Sequence, residues 1–175
     1  AKLLPGEADS VVIAGMGGEL IIKILENGRH MWDPVKQWIL SPQSEIFKVR
    51  RWLFENGFVI RKEDMVLEDG KFYTVMDVRR EKDADSEGKT VDPDVLSLSE
   101  DSRMLYGDYL IRTKNPVLFT YLKEEEAKLL RFIEDLSAKA GDSERAAERL
   151  SELKLQLKEN QEVQHEICLL YTSPS

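Results

Sequence analysis

The hydrophobic and polar positions near the start of the chain alternate between a short apolar run and a helical pattern. Residues 11–14 are continuously apolar and end at a glycine-rich turn, which predicts a strand buried on both faces. From Glu19 to Asn27, apolar side chains recur every three or four positions, and Gly28 follows as a natural stop. This pattern predicts a helix over 19–27.

The same order then repeats once along the chain. Residues 38–40 predict a second buried strand, which ends at Ser41 and Pro42. Ser44 is expected to cap a helix over 45–56. Strand, turn, helix, strand and helix in this order are typical of an α/β fold with a parallel sheet.

The next segment has the pattern of an antiparallel pair. Residues 65–67 and 72–78 are two strand-like runs around Asp69 and Gly70, and an Asp-Gly pair in that position is a strong hairpin signal. Two parallel units closed by such a hairpin are typical of the C-terminal half of a doubly wound sheet. That sheet normally opens with a strand and a glycine-rich turn, and nothing before residue 11 can supply them. We therefore expect an N-terminally incomplete domain.

The last third of the chain predicts two long helices joined by a short turn. Pro116 suits the first turn of a helix that would run to about residue 140, and Ser143 can cap a second helix that would run to residue 167. Apolar side chains recur along both, which predicts an antiparallel hairpin with coiled-coil packing. The seam is expected to hold Leu118, Leu122, Leu129, Phe132 and Leu136 of the first helix and Ala147, Leu150, Leu153, Leu157, Asn160, Gln164 and Ile167 of the second.

The charge balance divides the chain near residue 82. The 175 residues carry a formal net charge of −8, but residues 1–82 hold 13 basic and 13 acidic side chains, so the acidic excess lies in 83–175. We predict a partial α/β domain over 1–82, a polar connector over 83–114 and the helical hairpin over 115–167. Residues 168–175 break the pattern abruptly and resemble a non-native, adapter-derived tail.

Composition excludes several classes of protein. A net acidic chain is not a globally basic nucleic-acid binder, although it can still carry a local basic face. Its single cysteine, Cys168, allows no disulfide framework and no cysteine-based zinc site. No apolar run reaches the roughly 20 residues of a membrane span. We expect a cytoplasmic protein without a membrane or metal partner, and the sequence carries no signal for its oligomeric state.

Two turns carry the candidate chemistry. In open α/β sheets, ligands bind at the ends of strands, where helix N–H groups point into the crevice. The first turn comprises Ala14, Gly15, Met16, Gly17 and Gly18, and the second comprises Ser41, Pro42 and Gln43. Plain strand-ending turns without a ligand explain both segments equally well. No acid pair or histidine has the spacing of a catalytic couple, so the residues themselves assign no catalytic side chain.

Three segments resemble a known family: VVIAGMGGELIIKILENG (11–28), ILSPQSEIFKVRRWLFENGFVI (39–60) and EDMVLEDGKFYTVMDV (63–78). They are similar to the bacterial tRNA (adenine(22)-N1)-methyltransferase family, TrmK, and residues 115–136 resemble the start of its coiled-coil domain. The resemblance implies that 1–82 is a partial Rossmann-like, class I methyltransferase domain that uses S-adenosylmethionine (SAM). It also implies methylation of N1 of an adenine in tRNA, with the helical hairpin helping to hold the RNA.

The resemblance also implies roles for the two turns. Residues 14–18 would border SAM, with Met16 nearest the methyl donor or the target base, and residues 41–43 would border the substrate. Other members often read Gln-Pro-Asn at 41–43, so this chain departs from the pattern there. The strands with the remaining donor contacts would precede Ala1, and we expect this chain alone to be inactive. The alternative is a non-catalytic helical-hairpin module that binds a protein or RNA partner.

Overall fold

A computed structural model of the chain describes Leu4 and residues 6–81, 97–139 and 144–172. The chain divides into two units, Ala1–Thr113 and Lys114–Ser175. The first unit contains β1 (Ser10–Met16), α1 (Gly18–Asn27), β2 (Gln37–Pro42), α2 (Ile46–Glu55), β3 (Phe58–Glu68), β4 (Lys71–Arg80), α3 (Glu100–Tyr106) and α4 (Asp108–Arg112). The second contains α5 (Pro116–Lys139) and α6 (Glu144–Thr172). No helix within the described ranges is long and apolar enough to cross a membrane.

The four strands form one mixed sheet in the order β1-β2-β4-β3. β1 and β2 are parallel, whereas β4 is antiparallel to both β2 and β3. Side chains of one sheet face join those of α1 and α2 in a single hydrophobic core, which includes Ile13, Leu40, Met76, Ile21 and Leu53. The α/β class predicted from the alternating pattern is confirmed.

The predicted hairpin at Asp69 and Gly70 is also confirmed. Glu68 pairs with Lys71, which leaves a two-residue loop. Both loop residues have positive φ, 48° at Asp69 and 73° at Gly70, as the tightest hairpin turns require. The strand that leads into the turn is longer than predicted, because β3 runs continuously from Phe58 with one irregularity in its pairing.

The prediction that β1 is buried on both faces is wrong for the described structure. Ile13 is 6% exposed and faces the core, whereas Val12 on the opposite face is 69% exposed. β1 lies at the edge of the sheet, and α1 and α2 pack on only one side of it. An apolar run of four residues does not reveal whether a second layer covers the other face.

Ser44 does not cap α2, contrary to the prediction. The capping position belongs to Glu45, whose backbone is left-handed and whose side chain makes no capping hydrogen bond. The carbonyl of Ser44 instead accepts a hydrogen bond of 3.0 Å from the Gly18 N–H. Ser44 directly precedes the predicted helix and fits the capping pattern there, but α2 begins one residue later than predicted, at Ile46.

Residues 97–113 contain two helices within the segment that composition marks as a connector. The Ser99 hydroxyl caps α3 by accepting a hydrogen bond of 3.1 Å from the Ser102 N–H. Tyr106, Leu110 and Ile111 are buried. Because these few apolar residues lie in a mostly polar stretch of sequence, the pattern does not predict their burial. They belong to the first unit.

The second unit consists of two long helices that contact one another along a mixed seam. Leu118, Leu122, Leu129, Leu153, Val163 and Ile167 are buried. The buried Asn160 side chain donates hydrogen bonds to the Leu122 carbonyl (3.1 Å) and the Glu125 carboxylate (2.8 Å). These contacts pair the first half of α5 with the second half of α6.

The seam differs from the predicted one at its ends. Phe132 is 57% exposed and Ala147 is also exposed, so neither belongs to the seam. Phe132 lies only three residues after Leu129, and the buried side of the helix continues through the half-buried Ile133 instead. α6 itself continues to Thr172, four residues beyond Cys168.

Replacing Leu122 by alanine will destabilise the second unit. The Leu122 side chain is fully buried, so its truncation leaves a cavity and should lower the free energy of unfolding by about 2–5 kcal/mol. Urea unfolding followed by helical circular dichroism measures the change. Leu155→Ala is the matched control, because Leu155 is 57% exposed and its truncation should change stability by less than about 0.5 kcal/mol. Equal losses of stability from the two substitutions would contradict the placement of Leu122 in the seam between α5 and α6.

Candidate functional site

The two turns predicted to carry chemistry lie side by side at one edge of the sheet. Met16 pairs with Pro42 across the parallel strands. The Gln43 N–H donates a hydrogen bond of 2.9 Å to the Met16 carbonyl. Because β1 and β2 are parallel, their carboxyl ends meet there, and α1 begins at Gly18, the last residue of the first turn. The structure thus brings residues 14–18 together with residues 41–43.

The three glycines of the first turn differ in how closely other atoms surround them. Gly15 has a φ of 77°, and a Cβ atom there would meet nothing within 4 Å, so its backbone borders open space. At Gly18 a Cβ atom would lie 2.7 Å from the Ser44 carbonyl oxygen and 2.9 Å from that of Glu45. Gly18 is therefore required for the close packing of α1 against the loop before α2. At Gly17 a Cβ atom would lie 3.0 Å from the Ser44 hydroxyl, an intermediate case.

The remaining residues of the two turns differ in accessibility. Ala14 and Gln43 are exposed, Ser41 is half-buried and Pro42 is buried. Met16 is half-buried and packs against the hydrophobic core. The exposed Gln43 amide and the open backbone at Gly15 are thus the groups of this edge that a ligand could reach first.

An ionic cluster beside the first turn was not predicted from the sequence. Lys48 Nζ donates hydrogen bonds to Glu19 Oε1 (2.8 Å) and Glu45 Oε1 (2.7 Å). The hydrogen bond from Lys48 lowers the pKa of Glu45, while the bonds to Glu19 and Glu45 raise the pKa of Lys48. Glu19 lies in the first turn of α1, where a negative charge is favourable. The cluster joins residues 26 and 29 positions apart, which no local pattern could indicate.

A second set of polar residues is buried away from the two turns. Arg50 and Glu63 form an ion pair, with their side chains 4% and 1% exposed. Arg50 donates to Glu63 Oε1 through Nε (2.9 Å) and Nη2 (2.7 Å). Its Nη1 donates to the carbonyls of Met104 (2.8 Å) and Leu105 (2.6 Å) at the end of α3. We call this arrangement the Arg50 clasp, because it ties α2, β3 and α3 together.

The Arg50 clasp also borders a cavity of about 430 Å³ between α2, β3 and the two short helices. Its apolar wall includes Leu53, Phe58 and Ile60, and charged residues such as Arg103 and Asp108 line the rest. Burial raises the pKa of Glu63, and the Arg50 guanidinium opposes that effect. The described part of the chain has no group of three or more His, Cys, Asp or Glu residues that could hold a metal ion.

Comparison with known proteins gives a consistent result. The sequence profile of the family TrmK, tRNA (adenine(22)-N(1))-methyltransferase, matches residues 2–162. The chain is 34% identical over 149 residues to a protein of that description from Bacillus subtilis (strain 168). This match covers 85% of the chain and 58% of the B. subtilis protein, so the chain spans little more than half of that relative's length.

Solved structures with similar folds include three of note. The crystal structure of the B. subtilis M1A22 tRNA methyltransferase TrmK has a TM-score of 0.72 at 31% identity and is matched over 93% of this chain and 65% of its own. A putative tRNA (m1A22) methyltransferase of Streptococcus pneumoniae, in complex with SAM, has a TM-score of 0.67 at 29% identity over 90% of this chain and 60% of its own.

The third structure, a Streptococcus agalactiae protein in the NADB-Rossmann superfamily, supports the fold. It has a TM-score of 0.69 at 23% identity, with 89% of this chain and 60% of its own covered. The α/β fold of the first unit is therefore shared with these structures, and the comparisons do not favour the non-catalytic hairpin module. With a family profile that matches nearly the whole chain, the protein belongs to the TrmK family of tRNA (adenine(22)-N(1))-methyltransferases.

Proposed function

We propose that this chain is part of a SAM-dependent methyltransferase that acts on N1 of an adenine in tRNA. The observation that carries the proposal is the meeting of residues 14–18 and 41–43 at the carboxyl edge of two parallel strands. Ligands of open α/β sheets bind at such an edge. Membership of the TrmK family supports this choice of reaction over others that the same fold can host.

The first turn fits a bound methyl donor at one position in particular. The backbone of Gly15 faces open space, so a ligand can approach it without displacing a side chain. Ala14 is exposed on the same turn. We assign Ala14, Gly15, Met16, Gly17 and Gly18 to the SAM site, with contact through Gly15 and support from the packing of Gly18. Bound SAM supplies an electrophilic methyl group on a sulfonium sulfur.

The second turn would hold the target base. The Gln43 side chain is exposed and offers both a donor and an acceptor, which match N6 and N7 of adenine. Contact at that edge leaves N1 free to face the methyl group. Ser41 and Pro42 would complete the rim. The base must leave its stack at a cost of a few kcal/mol, and orientation in the site supplies much of the rate acceleration.

The second unit would contribute to tRNA binding. We propose that α5 and α6 form an antiparallel coiled-coil hairpin, supported by the buried leucines and by the Asn160 hydrogen bonds between them. In this proposal the partial methyltransferase domain comprises residues 1–82 together with α3 and α4, and the hairpin comprises residues 115–167. A tRNA substrate implies a cytoplasmic enzyme.

A chimaera tests the proposal. The full 175-residue chain replaces the region that it matches in the B. subtilis enzyme, and transfer of labelled methyl groups from SAM to tRNA is measured. We expect transfer to tRNA with adenine at position 22 and none when guanosine replaces that adenine. A folded chimaera that binds SAM and leaves tRNA unmethylated would overturn the proposed function.

Gly15→Val in the chimaera should reduce methyl transfer by about 100-fold, because a shift of about 1 Å in a positioning loop can cost that much. Valine is strained at a φ of 77°, and its side chain enters the open space beside the turn. Gly70→Asn is the control, since Gly70 has a φ of 73° in the hairpin turn, where asparagine is tolerated. Near-parental transfer by Gly15→Val would remove Gly15 from the site.

A further inference from the structure

Glu45 has a backbone conformation that its residue type disfavours. Its φ is 53° and its ψ is 36°, in the left-handed region, at the position directly before α2. A glycine would adopt this conformation without steric cost, whereas a side chain with a Cβ atom is strained there. Such strain persists only where the surrounding structure imposes it, and it is concentrated at functional sites.

The contacts of Glu45 lead to the start of α1. Its Oε2 accepts a hydrogen bond of 3.4 Å from the Glu19 N–H, and its Oε1 accepts one of 2.7 Å from Lys48. Lys48 in turn bonds Glu19, at 2.8 Å. The backbone before Glu45 contacts α1 as well, because the Ser44 carbonyl accepts the Gly18 N–H at 3.0 Å. Backbone and side chain of this loop therefore both fix the first turn of α1.

Stability alone does not explain a glutamate at this position. The side chains of Lys48, Glu19 and Glu45 are 41%, 59% and 32% exposed, and exposed ion pairs contribute little to folding. A glycine at residue 45 would remove the strain and retain the backbone hydrogen bond from Gly18. The feature that only the glutamate supplies is its carboxylate contact with α1, next to residues 15–18.

We propose that Glu45 is a positioning residue for methyl transfer, which keeps residues 15–18 in a fixed position through Glu19 and Lys48. This inference rests on the proposed function of that turn. Glu45 need not touch the methyl donor or the base. Its left-handed backbone places the Ser44 carbonyl within hydrogen-bond distance of the Gly18 N–H, and its carboxylate fixes the N-terminal turn of α1. The open backbone at Gly15 therefore keeps one position relative to Gln43.

The test separates stability from activity in the same chimaera. Glu45→Gly should leave the melting temperature unchanged or raise it, because the strain disappears. The same substitution should lower kcat by about tenfold, because small misplacements of a positioning element reduce rate. Glu45→Gln keeps one acceptor for the Glu19 N–H and loses the ion pair with Lys48, so its kcat should lie between those of the parent and Glu45→Gly.

Asp69→Gly is the matched control. Asp69 is also a non-glycine residue with positive φ, 48°, but it lies in the hairpin turn. Its replacement should relieve the smaller strain of an aspartate at positive φ and leave kcat at the parental value. A parental kcat in Glu45→Gly would overturn the proposal, and so would a fall in kcat together with a fall in melting temperature. If the unsubstituted chimaera transfers no methyl group, the proposed function itself fails, and this inference fails with it.

Discussion

Arg50→Met is expected to lower the free energy of unfolding of the first unit by about 3–5 kcal/mol, the usual cost of leaving a buried charge without its partner. The methionine replaces most of the side-chain volume but none of the four hydrogen bonds that Arg50 makes. Glu63 would then be a buried carboxylate without a counter-ion, and the Met104 and Leu105 carbonyls would lose their donor. Urea unfolding of the 175-residue chain measures the difference.

Arg51→Met is the matched control for this experiment. Arg51 is the next residue of α2 and also forms an ion pair, at 2.6 Å from Asp101, but the two side chains are 43% and 75% exposed. An exposed pair contributes about 1 kcal/mol or less. If Arg50→Met and Arg51→Met lower the free energy of unfolding equally, the Arg50 clasp has no special role in stability.

The loss in Arg50→Met should also depend on pH. Burial raises the pKa of Glu63 above the ordinary 4.5, and removal of the guanidinium should raise it further. A carboxyl group with a raised pKa in the folded state stabilises that state at low pH and loses this contribution as pH rises through the raised value. The loss in free energy of unfolding, relative to the parent chain, should therefore shrink towards pH 4.5 and grow above it. Arg50→Met/Glu63→Gln, which lacks the titrating carboxyl group, should show no such slope.

The features that the sequence predicts well depend on neighbouring residues. Asp69 and Gly70 form the turn because two adjacent residues suffice to specify positive φ at both positions. Alternation along β4 places Thr74, Met76 and Val78 on the buried face for the same local reason. The two candidate turns meet at one edge of the sheet because each ends a strand and the two strands are parallel.

The features that the sequence does not predict depend on tertiary contact between distant residues. Arg50 and Glu63 are 13 residues apart, and each is a residue type normally assigned to the surface. The left-handed backbone of Glu45 contradicts its residue type, so no propensity could indicate it. Within the first turn, the pattern also cannot distinguish the open Gly15 from the closely packed Gly18, because the difference lies in the loop before α2.

Gly107 provides the most demanding test of the Arg50 clasp, because its substitution changes no charge. Its φ is 92°, and a Cβ atom there would lie 2.5 Å from Glu63 Oε2 and 3.0 Å from Arg50 Nη2. Gly107→Ala therefore adds backbone strain and pushes against the buried ion pair, and we expect a loss of about 3–5 kcal/mol in the free energy of unfolding. Gly70→Ala is the control, since Gly70 also has positive φ but open space around it, and strain alone should cost about 1–2 kcal/mol.

A double substitution then shows whether Gly107 acts through the clasp. Arg50 bonds Glu63, and a Cβ atom added at Gly107 would press on the same carboxylate, so the two effects should not add. Once Arg50→Met has disrupted the ion pair, Gly107→Ala should lower the free energy of unfolding little more than Gly70→Ala does. Urea unfolding of the two single variants and the double variant gives the coupling energy. Full additivity would mean that Gly107 is required only for its backbone conformation and does not act through the Arg50–Glu63 ion pair.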